Sequence, residues 1–393
     1  MRGNSLKALV LSSLLMGAPM CAAYDFVAPA CVEAAVAEMT VEVDKNAAQV
    51  TKKGSVTVYP TIKEALAALK QAQPAKSTLR LAPGIYREKI QINVPNLTLV
   101  GQNAATTTIV WDDAEGTPLR PGDTNGKKKT YTMECGTVKV TKSATNFQAV
   151  NITFENDFPT EEARVDKRVG GSVQAFAITV EADKSSFYNC RFLGRQDTLY
   201  ANAGRQYYKD CYIEGDVDFI FGQSPASVFE NCTIKSLNRA VKDDGKEHST
   251  GYIAAPSTLK GDKGYLFYKC HLIGDVAEPH YVFLGRVWHP TSEKRPVQGG
   301  ICYRECQIDV KVKQNGWEVW KWDKKDKNGK VMLDEKGNKI KIIFPVENEL
   351  LFEYKNTGKY ALKGGNRRQL TDAQAVNYTP EKFLGDWKPA KRA

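Results

Sequence analysis

Histidine is scarce in this sequence, limited to His248, His271, His280 and His289, and no two of them are spaced as zinc ligands are. No stretch reaches 18 uninterrupted apolar residues, which argues against a membrane-spanning helix. The nearest approach to a serine nucleophile elbow, Gly222-Gln223-Ser224-Pro225-Ala226, lacks its closing glycine and has proline where a helix should follow, so a serine esterase is excluded. Arginines and aromatics are not interleaved in the nucleic-acid manner, and carboxylates do not gather into a calcium cluster. Neither a metal, a cofactor, nucleic acid nor a membrane is expected.

What the chain does have is positive charge, with 55 Lys and Arg against 45 Asp and Glu, a net +10. Such a field concentrates polyanions, an acidic polysaccharide among them. The lysine runs at Lys127 to Lys129 and Lys321 to Lys341 read as solvated loops. Residues 1–23 read as a secretory signal: Arg2 and Lys7 precede the apolar run Ala8 to Met16, and Cys21-Ala22-Ala23 offers small residues for cleavage. A secreted, extracellular monomer is expected.

A short pattern organises the rest. An amide or charged residue is followed by apolar, any, apolar at Asn96-Leu97-Thr98-Leu99, Asn151-Ile152-Thr153-Phe154, Asn189-Cys190-Arg191-Phe192, Asp210-Cys211-Tyr212-Ile213, Asn231-Cys232-Thr233-Ile234, Lys269-Cys270-His271-Leu272 and Glu305-Cys306-Gln307-Ile308. Alternation of this kind marks half-buried strands. Cys190, Cys211 and Cys232 are 21 residues apart, whereas the next steps of 38 and 36 fit one coil with a loop or nearly two plain coils. A period near 20 with no helix between strands indicates a parallel β-solenoid. The expected organisation is all-β: one domain over 24–393, with a solenoid core at about 75–312, a lysine-rich hairpin at about 317–345 and a tail at 346–393. Thr61 and Glu64 begin a capping helix with Ile62, Ala65, Leu66 and Leu69 on its apolar face. The segment Gln369 to Trp387 reads as helical, returning along the solenoid.

Five cysteines share one repeat position and read as a buried stack of small side chains. Cys190 and Cys211 are singled out to pair as a disulfide, because adjacent coils bring their Cα atoms into range and a secreted protein meets oxidising conditions. Cys31 and Cys135 have no assignable partner. The sequon asparagines Asn96, Asn151 and Asn231 lie on the repeat and are expected to make inward hydrogen bonds rather than carry sugar.

Asp197 and Asp218 are also 21 residues apart. On successive coils their like charges cannot both ionise freely, so one keeps its proton and the pair supplies an acid and a base. Gln174, 22 residues before Gln196, puts amide donors beside them, as a developing oxyanion requires. Leu284-Gly285-Arg286-Val287-Trp288 adds a guanidinium able to hold a carboxylate and a flat ring suited to sugar.

Gly84-Ile85-Tyr86-Arg87-Glu88, Gln174-Ala175-Phe176-Ala177, Gln196-Asp197-Thr198-Leu199, Asp218-Phe219-Ile220-Phe221-Gly222 and Leu284-Gly285-Arg286-Val287-Trp288, in this order, resemble the signature set of pectin methylesterases. The resemblance implies a right-handed parallel β-helix that demethylates esterified homogalacturonan without metal or cofactor. It makes Asp218 the nucleophile, oriented by Arg286, and Asp197 the general acid and then base. Gln174 and Gln196 hold the oxyanion, and Trp288, Tyr200, Phe221, Val217 and Thr291 contact substrate. Two other readings stand beside it: a pectin-backbone glycosidase, since carboxylates about 5 Å apart also suit a retaining mechanism, and a noncatalytic polyuronide-binding β-helix.

Overall fold

The computed structural model describes residues 37–118, 129–166, 173–242, 244–361 and 367–392; the expected signal at 1–23 and Cys31 lie outside them. Three parallel sheets of 12, 8 and 7 strands run the length of the chain, and successive strands fall on the sheets in rotation. Arg205–Lys209 lies in the long sheet, Tyr212–Gly215 in the second and Val217–Gly222 in the third, after which Ala226–Glu230 returns to the long sheet. That is one coil of a parallel β-helix.

The sequence repeat is the corner between the long and second sheets. Asn151, Asn189, Asp210, Asn231, Lys269 and Glu305 all have φ between 52 and 58°. Asn and Asp tolerate this left-handed conformation best, which is why they recur there. The Asn96 copy is the exception: its strand, Leu97–Gly101, belongs to the long sheet, so the corner has six copies here and not seven. The asparagines do not point inward as expected. Asn231 is exposed, and its side-chain amide donates to Asp210 across one coil at 2.6 Å. Thr233 pairs with His271 and His271 with Gln307, so the steps of 38 and 36 residues are single coils carrying loops.

Inside, side chains stack in columns about 4.8 Å apart. Phe187, Tyr208, Phe229, Phe267 and Tyr303 form one, with centroid spacings of 4.8, 4.7, 4.7 and 4.5 Å and ring planes within 12° of parallel. Cys190, Cys211, Cys232, Cys270 and Cys306 form another, and all five are free buried thiols. The expected Cys190–Cys211 disulfide is therefore absent. In a register-matched parallel ladder the Cα–Cβ bonds run side by side, which holds Cβ atoms near the strand spacing and beyond the roughly 3.5–4.5 Å a disulfide needs. Each thiol instead donates to backbone: Cys211 to Lys209 O at 3.3 Å, Cys270 to Phe229 O at 3.2 Å. Burial pushes the thiols of Cys190, Cys211, Cys232 and Cys270 well above the ordinary range, so they are poor nucleophiles. Cys135 is also a free buried thiol.

The ends are covered. Helix Ile62–Ala72 buries Ile62, Ala65, Leu66 and Leu69 over the first coils, with Thr61 accepting from Glu64 N. Glu88 accepts from Ile62 N and Lys63 N at 2.8 and 3.1 Å, which gives the last residue of the Gly84 to Glu88 motif a capping role. Trp320–Asp323 and Lys341–Phe344 pair antiparallel as the hairpin, with tight turns closed by Gly329 N to Asp326 O and Gly337 N to Asp334 O. The Gln369 to Trp387 segment makes only two short helical pieces, Asp372–Ala375 and Pro380–Leu384, because Asn377 to Thr379 interrupt it. Phe383 and Leu384 pack on the outer face of the long sheet with Tyr207, Val228 and Leu266.

Two outcomes follow. Phe229→Ala, in the middle of the aromatic column, is expected to lower unfolding free energy by about 3–5 kcal/mol in urea titration. Dithiothreitol should leave the thermal midpoint unchanged, and thiol titration of the denatured, unreduced protein should find Cys190 and Cys211 free.

Candidate active site

The third sheet places Leu199–Ala201, Val217–Gly222 and Ser249–Pro256 side by side. Leu199 pairs with Ile220 and Tyr200 with Phe221, which sets Asp197 and Asp218 at matching positions one ladder step, about 4.8 Å, apart. Both lie in the left-handed region, with φ 65° and 50°. On the other side, Val217 pairs with Tyr252 and Ile220 with Ala254, so Asp218 and Phe219 face one residue of the next coil. This bulge breaks the strand's alternation: Phe219 enters the core while Asp218 turns to Arg286. Two glycines leave room for it. A Cβ on Gly251 would lie 1.8 Å from Asp216 O, and one on Gly215 would lie 2.2 Å from Phe219 Cβ.

Arg286 follows strand Tyr281–Gly285 and meets Asp218 in a bidentate pair, donating from Nε to Oδ1 at 2.9 Å and from Nη2 to Oδ2 at 2.6 Å. With both oxygens accepting, Asp218 stands as a carboxylate. Asp197 is 6% exposed, and burial first, then the neighbouring Asp218 charge, raise its pKa well above the usual carboxylate range. Two aspartates on adjacent coils thus occupy opposite protonation states.

Gln174 and Gln196 come from adjacent coils at the same edge, linked through Ala175 N to Gln196 O at 3.2 Å. The rings of Tyr200 and Phe221 stack at 4.4 Å, and Trp288 lies 5.9 Å from Phe221, so these three form one wall. Tyr200 and Phe221 are nearly buried, at 7% and 4%, which leaves Trp288 the most open of the three. Val217 immediately precedes Asp218 in the strand, whereas Thr291 is exposed in the loop beyond Pro290, with no hydrogen bond or ring contact to this wall among the described residues. Among the described residues no group of three or more His, Cys, Asp or Glu could hold a metal ion.

Sequence reasoning missed several residues here. Phe176 underlies the wall, 5.4 Å from Tyr200 and 5.2 Å from Phe221. Asp216, with its side chain fully buried, accepts from both Nη atoms of Arg164 at 2.7 and 2.9 Å and from Val217 N at 2.7 Å. It also pairs with Arg195 at 3.4 Å. Arg195 and Asp216 are 21 residues apart, so the coil period that found the two acids would have found this pair.

Because Asp197 binds its proton more tightly when folded, stability is full below the ordinary carboxylate pKa and declines as pH rises towards the raised value. Asp197→Asn should remove that decline. Thermal midpoints of the two proteins, measured from pH 4 to 9, should diverge in favour of the variant as pH rises.

The pectinesterase family profile matches residues 47–339. Pectinesterase 31 of Arabidopsis thaliana is 35% identical over 266 residues, covering 67% of this chain and 74% of that protein. Pectinesterase A of Dickeya chrysanthemi is 33% identical over 349 residues, covering 84% and 88%. The crystal structure of a pectin methylesterase in complex with a hexasaccharide superposes with a TM-score of 0.74 at 31% identity, covering 89% of this chain and 98% of that one. A match over most of the length, a shared β-helix and the motif set read from the sequence agree: this chain belongs to the pectinesterase family.

Proposed function

We propose that this protein hydrolyses the methyl esters of C6 carboxyl groups in pectin, releasing methanol through an acyl-enzyme on Asp218. The observation that carries the mechanism is the split between two stacked aspartates: one paired with Arg286, the other buried and proton-retaining. A carboxylate oxygen of Asp218 attacks the ester carbonyl, and the side-chain amides of Gln174 and Gln196 donate to the resulting oxyanion. Asp197 gives its proton to the methoxy oxygen as the C–O bond breaks, and methanol leaves an anhydride on Asp218. Asp197, now ionised, takes a proton from water; the hydroxyl adds to the acyl carbon, the anhydride opens, and Asp218 is restored beside a free galacturonate. Arg286 keeps the nucleophile aimed throughout, and Trp288, Tyr200, Phe221, Val217 and Thr291 receive the sugar chain.

The hexasaccharide bound to the related methylesterase supports an extended polysaccharide as substrate. The leader at residues 1–23 supports secretion, and the net charge of +10 suits an acidic polymer. Among the described residues no helix is long and apolar enough to cross a membrane. We read the protein as acting as a monomer.

Purified protein on highly esterified pectin should release methanol without new reducing ends. Reducing ends appearing in step with turnover would instead establish a glycosidase, and pectin retention with no product a binder. Asp218→Ala should cut methanol release by about 10³-fold or more while pectin retention persists.

A further inference from the structure

Arg286 offers Asp218 one edge of its guanidinium, so the value of the pair depends on what fixes the plane. Two rings flank that plane. The Tyr252 centroid lies 3.8 Å from Arg286 Cζ and the Trp320 centroid 4.8 Å. Tyr252 comes from strand Ser249–Pro256 of the solenoid, whereas Trp320 is the first residue of the lysine-rich hairpin.

The hairpin's base is held on every side. Just before Trp320, Trp317 bridges to Gly285, Leu284 N donates to Gly316 O at 2.8 Å and Glu318 N to Gly285 O at 3.1 Å, so this segment lies alongside the one that carries Arg286. After it, Trp320 pairs with Phe344, and Trp322 Nε1 donates to His289 O at 2.7 Å. The Phe344 ring stacks on His289 at 3.8 Å, and His289 is itself held by Glu349 at 3.0 Å. Glu349 accepts in turn from Gly299 N at 2.8 Å. These contacts fix the Trp320 ring against Arg286 as rigidly as a strand of the solenoid would.

We propose that Trp320 is a positioning residue. With Tyr252 it clamps the guanidinium of Arg286 so that Nε and Nη2 both face Asp218, which makes the hairpin's base part of the esterase machinery and its lysine-rich tip dispensable. Tryptophan offers the strongest cation–π face of the three aromatics, and a flat ring over a flat cation opposes rotation about the last bonds of the arginine stem. The kinetic arm of the test rests on the ester-hydrolysis reading above; the spectroscopic arm does not.

Three variants isolate the ring from mere bulk: Trp320→Phe keeps a π face, Trp320→Leu keeps apolar volume without one, and replacing residues 324–340 by Asn-Gly removes the tip alone. Trp320→Leu is expected to lose about tenfold in kcat with KM within about twofold, and Trp320→Phe to stay within about threefold of wild type. The shortened hairpin should keep wild-type kcat. Independently of turnover, hydrogen exchange at Arg286 Nε–H, followed by NMR, should be markedly faster in Trp320→Leu than in Trp320→Phe. Equal exchange in the two variants overturns the clamp even for a protein that releases no methanol. Wild-type kcat in Trp320→Leu, or a loss confined to KM, overturns the positioning role while leaving ester hydrolysis intact.

Discussion

Everything in this molecule is set by the in-register parallel ladder, in which each backbone hydrogen bond joins a residue to its counterpart one coil away. A side chain therefore has the equivalent residue of the next coil as its nearest neighbour, at a fixed distance of about 4.8 Å. For apolar groups the result is favourable. Phe187, Tyr208, Phe229, Phe267 and Tyr303 make a continuous stack, and the thiols make a column beside it. For charged groups the same rule is a constraint, because like charges one step apart repel in a poorly hydrated setting.

The site uses that constraint. Asp197 and Asp218 could relieve their repulsion by turning apart, but the ladder fixes one and the bulge at Asp218-Phe219 fixes the other. Relief comes instead from protonation of the more buried acid and from Arg286 on its partner. Asp216, two residues before the bulge, meets the same problem by accepting from Arg164 and Arg195. Buried carboxylates here keep their charge only where a guanidinium reaches them.

What the sequence made legible was whatever obeys the 21-residue step. The corner residues, the cysteine column, the paired acids and the amides at Gln174 and Gln196 all follow from counting. Exceptions to the count were invisible. The bulge exists only relative to Tyr252 and Ala254, in a coil whose length differs, and the left-handed φ of Asp218 goes with it. The disulfide between Cys190 and Cys211 was a reasonable reading of proximity, but it ignored direction: parallel Cα–Cβ bonds keep stacked thiols apart. Asn96 imitated the corner motif because apolar alternation alone does not say which sheet a strand joins. The docking of Trp320 and Trp322 beside Arg286 and His289 depends on a hairpin outside the repeat, for which periodicity has nothing to offer.

The tail has a consequence of another kind. Residues at the extreme C-terminus are stitched to the earliest coils: Arg392 N donates to Gln148 Oε1 at 2.6 Å, its guanidinium reaches Asn146 O at 2.7 Å, and Ala390 O accepts from Gln148 Nε2 at 2.9 Å. The last stretch to leave the ribosome thus seals a surface built by some of the first, and the native state stays incomplete until synthesis ends. A polypeptide with that dependency stays unlocked during translation, a property well matched to threading through an export channel before it closes into its final form.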